Sequence, residues 1–181
     1  DNPSLFKVLN NRLDDFEHHL LNDELSIVDT LRKVDAETEL RRFLSFWLQQ
    51  HSRDAYGISQ EAVVIGEKRT DIRLTLNGRD RYASIELKLD DQRNNWSGTD
   101  LRSALVDQLV GRYLNHERCN VGCLLIVMRA ARQWVNQEKK EKMDLQQTVN
   151  WLQGVANTIM GERPELYISV KGIDYSRVSN E

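Results

Sequence analysis

Apolar residues recur at helical spacing from the start of the chain. Leu5, Val8, Leu9, Leu13, Phe16 and Leu20 share one face, opposite a polar side. Residues 22–26 interrupt this pattern, and 28–33 fit neither the helical nor the strand period. A second stripe, Leu40, Phe43, Leu44, Trp47 and Leu48, predicts a helix starting near Asp35. Glu37 and Glu39 lie in its first turn, where carboxylates suit the positive end of the helix dipole. Residues 51–60 read as a polar loop, after which the period becomes two. Residues 62–65 form a short β-branched run. Ile72, Leu74 and Leu76 then alternate with Asp71, Arg73 and Thr75. After the hairpin signal Asn77-Gly78, Ile85, Leu87 and Leu89 alternate with Ser84, Glu86 and Lys88. A three-stranded meander follows from this pattern.

Residues 90–98 read as a loop, and Thr99 or Asp100 as the N-cap of a helix that runs to about Leu114. The apolar side of that helix is Leu101, Leu105, Leu109 and Val110. The near-continuous apolar run 121–128 predicts a strand covered on both faces. In residues 129–142, Arg129, Arg132, Lys139, Lys140 and Lys142 are interleaved with Glu138 and Glu141, which reads as a solvated helix face rather than a phosphate patch. Leu145, Val149, Leu152, Val155, Ala156 and Ile159 mark another amphipathic helix, and residues 166–170 a last strand. This order predicts an α/β fold, a mixed central sheet flanked by helices on both faces. Residues 1–34 read as a helical lead-in and 35–181 as the main domain.

Composition narrows the function classes. The chain has 181 residues, 40% hydrophobic and 29% charged, which suits a globular domain and not a disordered one. Its longest apolar run is far shorter than the roughly 20 residues of a membrane span, so no membrane partner is expected. Two cysteines cannot build a disulfide framework and point to a reducing, cytoplasmic compartment. The chain begins with Asp1 rather than Met and shows no signal-peptide layout, as expected either of a piece of a longer protein or of a chain trimmed of a tag. A net charge of −3 tells against a uniformly basic nucleic-acid binder. No Gly-rich phosphate loop is present, which excludes P-loop nucleotide hydrolysis. His116, Cys119 and Cys123 lack the tight pair spacing and fourth ligand of a zinc site, and Cys123 opens the apolar strand as a small hydrophobe.

The chemistry concentrates on the two paired strands. Alternation puts Asp71, Arg73 and Thr75 on one face of the first, and Glu86 and Lys88 on one face of the second. Pairing through Asn77-Gly78 brings one carboxylate from each strand beside one ammonium. Paired carboxylates are hard oxygen ligands suited to Mg²⁺ or Mn²⁺. Lysine beside them can hold a water and contact a phosphate oxygen. The same residues also suit a solvated face carrying cross-strand ion pairs. The helices expected to cover this face favour the first reading.

Asp71, fourteen intervening residues, then Glu86-Leu87-Lys88, set in α-β-β-β-α-β order, resembles the PD-(D/E)xK nuclease superfamily, with its restriction-endonuclease-like core. The resemblance spans roughly residues 35–128. The helix segment with Gln108 and Tyr113 is similar to the Gln-and-Tyr helix of the RecB-like and Mrr-like branches, with a spacing one residue longer. Thr70 stands where many members carry proline. The resemblance implies catalytic Asp71, Glu86, Lys88 and Gln108, and Mg²⁺ or Mn²⁺ held by Asp71, Glu86, the Leu87 carbonyl and a helix carboxylate, Glu39 or alternatively Glu37. Tyr113 would contact substrate; Arg69 and Arg73, which flank Asp71, read either as DNA-phosphate contacts or as ordinary surface arginines of a strand. The implied activity is metal-dependent endonucleolytic cleavage of DNA by the effector domain of a larger bacterial defence or DNA-processing protein, working as a homo-oligomer or with partner domains. Two rivals are an inactive module of this fold used for DNA binding or assembly, and an RNase. In the loop 90–98, Arg93, Asn94 and Asn95 are candidate nucleic-acid contacts, whereas Trp96 reads as a cover over a core edge. Trp47 and Trp151 read as core.

Overall fold

The computed structural model describes residues 1–22, 36–64, 68–91, 93–136 and 138–176, without the side chains of 61–64 and 68–70. The segment 28–33, ambiguous by its pattern, and residue 65 lie outside the described residues.

Among the described residues there are seven strands, five of them where the sequence pattern expects strands. Strands β1 (Tyr56–Val64), β2 (Lys68–Leu76) and β3 (Tyr82–Asp90) form the expected antiparallel meander, and β4 (Val121–Met128) and β7 (Tyr167–Asp174) extend it in parallel. The five strands run in the order β1-β2-β3-β4-β7, so β3 sits at the centre. Strand β1 begins at Tyr56, inside the stretch expected to be loop, because the buried Tyr56 anchors it by donating its hydroxyl to the Leu48 carbonyl at 3.0 Å. The described residues of 129–142 hold no helix. They carry a two-stranded ribbon, β5 (Trp134–Asn136) and β6 (Glu141–Met143), whose inward anchors are Trp134 and Met143.

Two layers of helix enclose the sheet. The stripe of α1 (Asn2–Asn22), Leu5, Leu9, Leu13, Phe16 and Leu20, joins Leu40, Leu44, Trp47 and Leu48 of α2 (Glu37–Gln50) over one face, against Ile72, Leu74, Ile85, Leu87 and Leu89. Helix α1 is thus built into the core that holds the middle strands. On the other face, α3 (Gly98–Ser103) runs on without a break as a π-helical stretch (Ala104–Tyr113) and packs with α4 (Leu145–Glu162), where Trp151 is half-buried. Helix α3 is capped by Ser97 rather than Thr99 or Asp100. The Ser97 side chain accepts from the Asp100 amide while the Asp100 carboxylate accepts from the Ser97 amide, a reciprocal capping box. No described helix is long and apolar enough to cross a membrane.

The π-helical stretch lies close against β4. A Cβ on Gly122 would meet the Leu109 and Leu114 methyls at 2.9 and 3.1 Å, so any larger residue there would push those leucine ends aside. The Leu114 amide donates to the Leu109 carbonyl at 3.0 Å, a five-residue step. Every residue of β3 is buried, including its polar alternation Ser84, Glu86, Lys88 and Asp90. The polar face of β3 is therefore covered, as a solvated sheet face would not be.

Candidate active site

The site forms where β2 and β3 part. Pairing between them runs from Thr75↔Tyr82 to Ile72↔Ile85 and stops there, while β2 remains tied to β1 and β3 to β4. Beyond that point the β3 amides facing the gap have no strand partner. Buried amides left unpaired are costly, so side chains must take them. The Asp71 carboxylate accepts from the Leu87 amide, and the Glu37 carboxylate from the Leu89 amide, each at 2.9 Å. A strand residue directs its N–H and C=O to the same edge, so the Leu87 carbonyl also faces the gap.

Around this split the charges are dense and enclosed. Glu86 is 3% exposed and Lys88 6%, and Lys88 Nζ meets Glu86 Oε1 at 2.8 Å. Burial, then the Asp71 charge, raise the Glu86 pKa to about 7 against the pull of Lys88, with Glu37 raising it further. Burial alone would lower the Lys88 pKa. Its bond to Glu86 and the charges of Glu86, Glu37 and Asp71 outweigh burial and hold the ammonium above its ordinary value. Burial also raises Glu37, partly offset by the Leu89 amide and Lys88. Arg41 Nη1 donates to Asp71 Oδ1 at 3.0 Å. Three carboxylates thus face two fixed cations, a local excess of negative charge.

The helix carboxylate is Glu37, and the expectation of Glu39 is corrected. Residues two apart on a helix point to nearly opposite sides. Glu37, Leu40, Arg41 and Leu44 share the inward stripe of α2, which leaves Glu39 on the exposed one. Arg41, unremarked in the sequence, was legible there as the residue one turn beyond Glu37 on the same face. Arg73 is also reassigned. Its guanidinium lies flat over the Tyr82 ring at 3.5 Å, so it braces the paired half of the hairpin instead of facing the gap. Arg69 pairs through its backbone with Val63, and its side chain is outside the described residues.

Tyr113 reaches the cluster from the π-helical stretch. Burial raises its phenol, and the Glu86 and Asp71 charges raise it further, so it stays protonated beside them. Residues three or four apart share a face of an α-helix, and the five-residue step widens that interval. The longer spacing from Gln108 to Tyr113 matches this wider turn. Gln108 is half-buried on the same stretch.

A belt of aromatic and basic residues closes the end of β3. The half-buried Trp96 ring covers Lys88 Nζ at 4.7 Å, and its indole N–H donates to the Leu89 carbonyl at 2.9 Å. The Trp134 indole holds the Trp96 carbonyl at 3.1 Å. Arg132 pairs with the fully buried Asp90 at 3.1 Å and with Asn95. Arg129 sits 3.8 Å from Asp91, whose carboxylate also caps the Arg93 and Asn94 amides. Arg132 and the half-buried Asn94 therefore shape the loop by contacts within the chain, while Asn95, bonded to Arg132, is exposed. Cys119 and Cys123 are buried, Cys119 beside Ser84 at 3.3 Å, and burial pushes both thiols up to about 11.

Among the described residues, no three His, Cys, Asp or Glu side chains already converge as a metal cluster. The carboxylates are instead held by protein donors, with one exception. Glu86 Oε2 is buried without a hydrogen-bond partner. An orphaned carboxylate oxygen in an acidic, oxygen-lined gap fits a hard divalent cation. No protein-family model, curated protein or solved structure matches the chain.

Proposed function

We propose that this chain is a Mg²⁺- or Mn²⁺-dependent endonuclease domain acting on DNA, of the PD-(D/E)xK type. The observation that carries the reading is the enclosed cluster of Asp71, Glu86 and Lys88 at the parting of β2 and β3, with Glu86 Oε2 left open. Asp71 and Glu86 would hold the cation, with the Leu87 carbonyl facing the same gap. When bound, such an ion polarises a phosphodiester and lowers the pKa of a water.

The chain's own residues supply the rest. Lys88 keeps its proton at neutral pH, so it serves as a donor and a fixed positive charge, not as a general base. It is placed to orient water and to offset the extra negative charge of a pentacoordinate phosphate. Trp96 confines the ammonium on one side and Glu86 on the other. Tyr113, also protonated, is a second donor at the edge of the cluster. Glu37 anchors the Leu89 amide and so keeps the split open.

Plasmid nicking with Mg²⁺ or Mn²⁺ tests the proposal. Wild type should nick, and Lys88→Ala and Asp71→Ala should each lose about a hundredfold or more, the scale of losing one charge-stabilising group. Cleavage that persists in the Asp71 variant, or survives EDTA, overturns the assignment. Binding of duplex without cleavage would favour a non-catalytic module.

A further inference from the structure

We propose that His19 and His51 form a separate metal site, a two-imidazole clamp for a borderline transition ion such as Zn²⁺, Ni²⁺ or Cu²⁺. Such an ion would tie the end of α1 to the end of α2. Imidazole suits these ions, whereas Mg²⁺ and Mn²⁺ favour the oxygens of the acidic cluster. The clamp stands apart from the nuclease reading. Glu37 opens α2 and His51 follows its last residue, so roughly 20 Å of helix separates the two places.

Both rings are prepared as ligands. His19 Nδ1 lies 2.9 Å from the Asp15 carbonyl, and His51 Nδ1 2.8 Å from the Trp47 carbonyl, each one turn back along its own helix. A carbonyl only accepts, so each Nδ1 carries the proton and, in the neutral ring, each Nε2 keeps its lone pair. Donation from the second ring nitrogen to a backbone carbonyl is the arrangement that fixes the tautomer and orientation of metal-ligating histidines. Neither Nε2 has a protein partner among the described residues. His18 differs. The Asn22 amide donates to the His18 carbonyl at 3.1 Å and to its Nδ1 at 3.0 Å, which leaves the proton on Nε2 and that ring outside the pair.

Position and charge agree with this. Trp47 stacks on His51 with centroids 4.0 Å apart and so holds that ring in place. His19 stands beside the stack, its centroid 5.6 Å from each ring and its plane inclined at 63° to His51. An ion bound to both Nε2 atoms at about 2.0–2.1 Å would set the two imidazole centroids roughly 5–6 Å apart. His19 lies in the last turn of α1 and His51 is the C-cap of α2, so two helix dipoles present their negative ends to a cation here. Among the described residues no third His, Cys, Asp or Glu joins the pair, so water would complete the coordination.

Calorimetric titration of Zn²⁺ into Glu86→Gln, which weakens the acidic cluster, tests the clamp beside the same chain with His19→Gln or His51→Gln added. Thermal melts without metal confirm that each chain is folded. The Glu86→Gln chain should bind one Zn²⁺, and either added substitution should abolish that binding. Zn²⁺ at about a hundred times its dissociation constant should raise the melting temperature by about 5–10 °C only where both histidines remain. Bound Cu²⁺ should show electron-spin couplings to two imidazole nitrogens, lost in both histidine variants. No Zn²⁺ binding, Zn²⁺ binding that survives both histidine substitutions, or Cu²⁺ without imidazole couplings overturns the clamp and leaves the nuclease reading standing.

Discussion

Glu86→Gln should make the metal-free protein more stable above neutral pH. The substitution keeps the shape of the side chain and an oxygen for Lys88, and it removes one of the three carboxylates crowded against two cations. Burial and Asp71 raise the Glu86 pKa from the ordinary 4.5 to about 7, so the folded protein retains a proton that the unfolded chain has released between those values. Stability is therefore lost as pH rises through this window and recovered as it falls. At about 1.4 kcal/mol per pH unit, the ionised carboxylate costs about 3 kcal/mol at pH values above the window. The glutamine variant should regain up to that amount, a rise in melting temperature of about 6–12 °C for a chain of this size. Unfolding in EDTA at about pH 8.5 and about pH 5 measures the difference, which should be largest at the higher pH and mostly gone at the lower. Mg²⁺ should raise the melting temperature of wild type and leave the variant unmoved. A variant less stable than wild type at high pH, or a gap that ignores pH, would refute this balance of burial and repulsion at Glu86.

Gly122→Ala should destabilise the fold by about 1–3 kcal/mol, because the new methyl meets Leu109 and Leu114 under the π-helical stretch. Urea unfolding reads the loss, and an unchanged midpoint would mean that the stretch shifts freely. Arg132→Met should cost about 1–3 kcal/mol at neutral pH by leaving the buried Asp90 carboxylate short of its cation. The deficit should shrink in acid as Asp90 takes up a proton, and a deficit equal at all pH values would argue for lost packing instead.

What the sequence made legible follows from the range of each signal. Period-two alternation is local, so it suffices to place Asp71, Glu86 and Lys88 on their strands and faces, along with the helices that enclose them. The Ser97–Asp100 box is equally local, but Thr99 and Asp100 are themselves good caps and mask it. The ribbon of β5 and β6 has only three residues on each side, too few for a period to emerge from a run of mixed charge.

The features that turn a polar face into a site are not local. Where β2 leaves β3 depends on each being held harder by its outer neighbour, and no pattern within either strand records that competition. Once the strands part, the exposed amides of Leu87 and Leu89 require acceptors, and Asp71 and Glu37 supply them. The same carboxylates that repair the sheet edge create the acidic excess around Glu86. Fold and candidate chemistry therefore share a cause, since the amides of an edge left open inside a covered sheet need acceptors, and the carboxylates that serve here leave an acidic excess suited to a cation. Glu37 belongs to this set because it closes the edge from the helix side. Glu39, two residues along and facing outward, cannot.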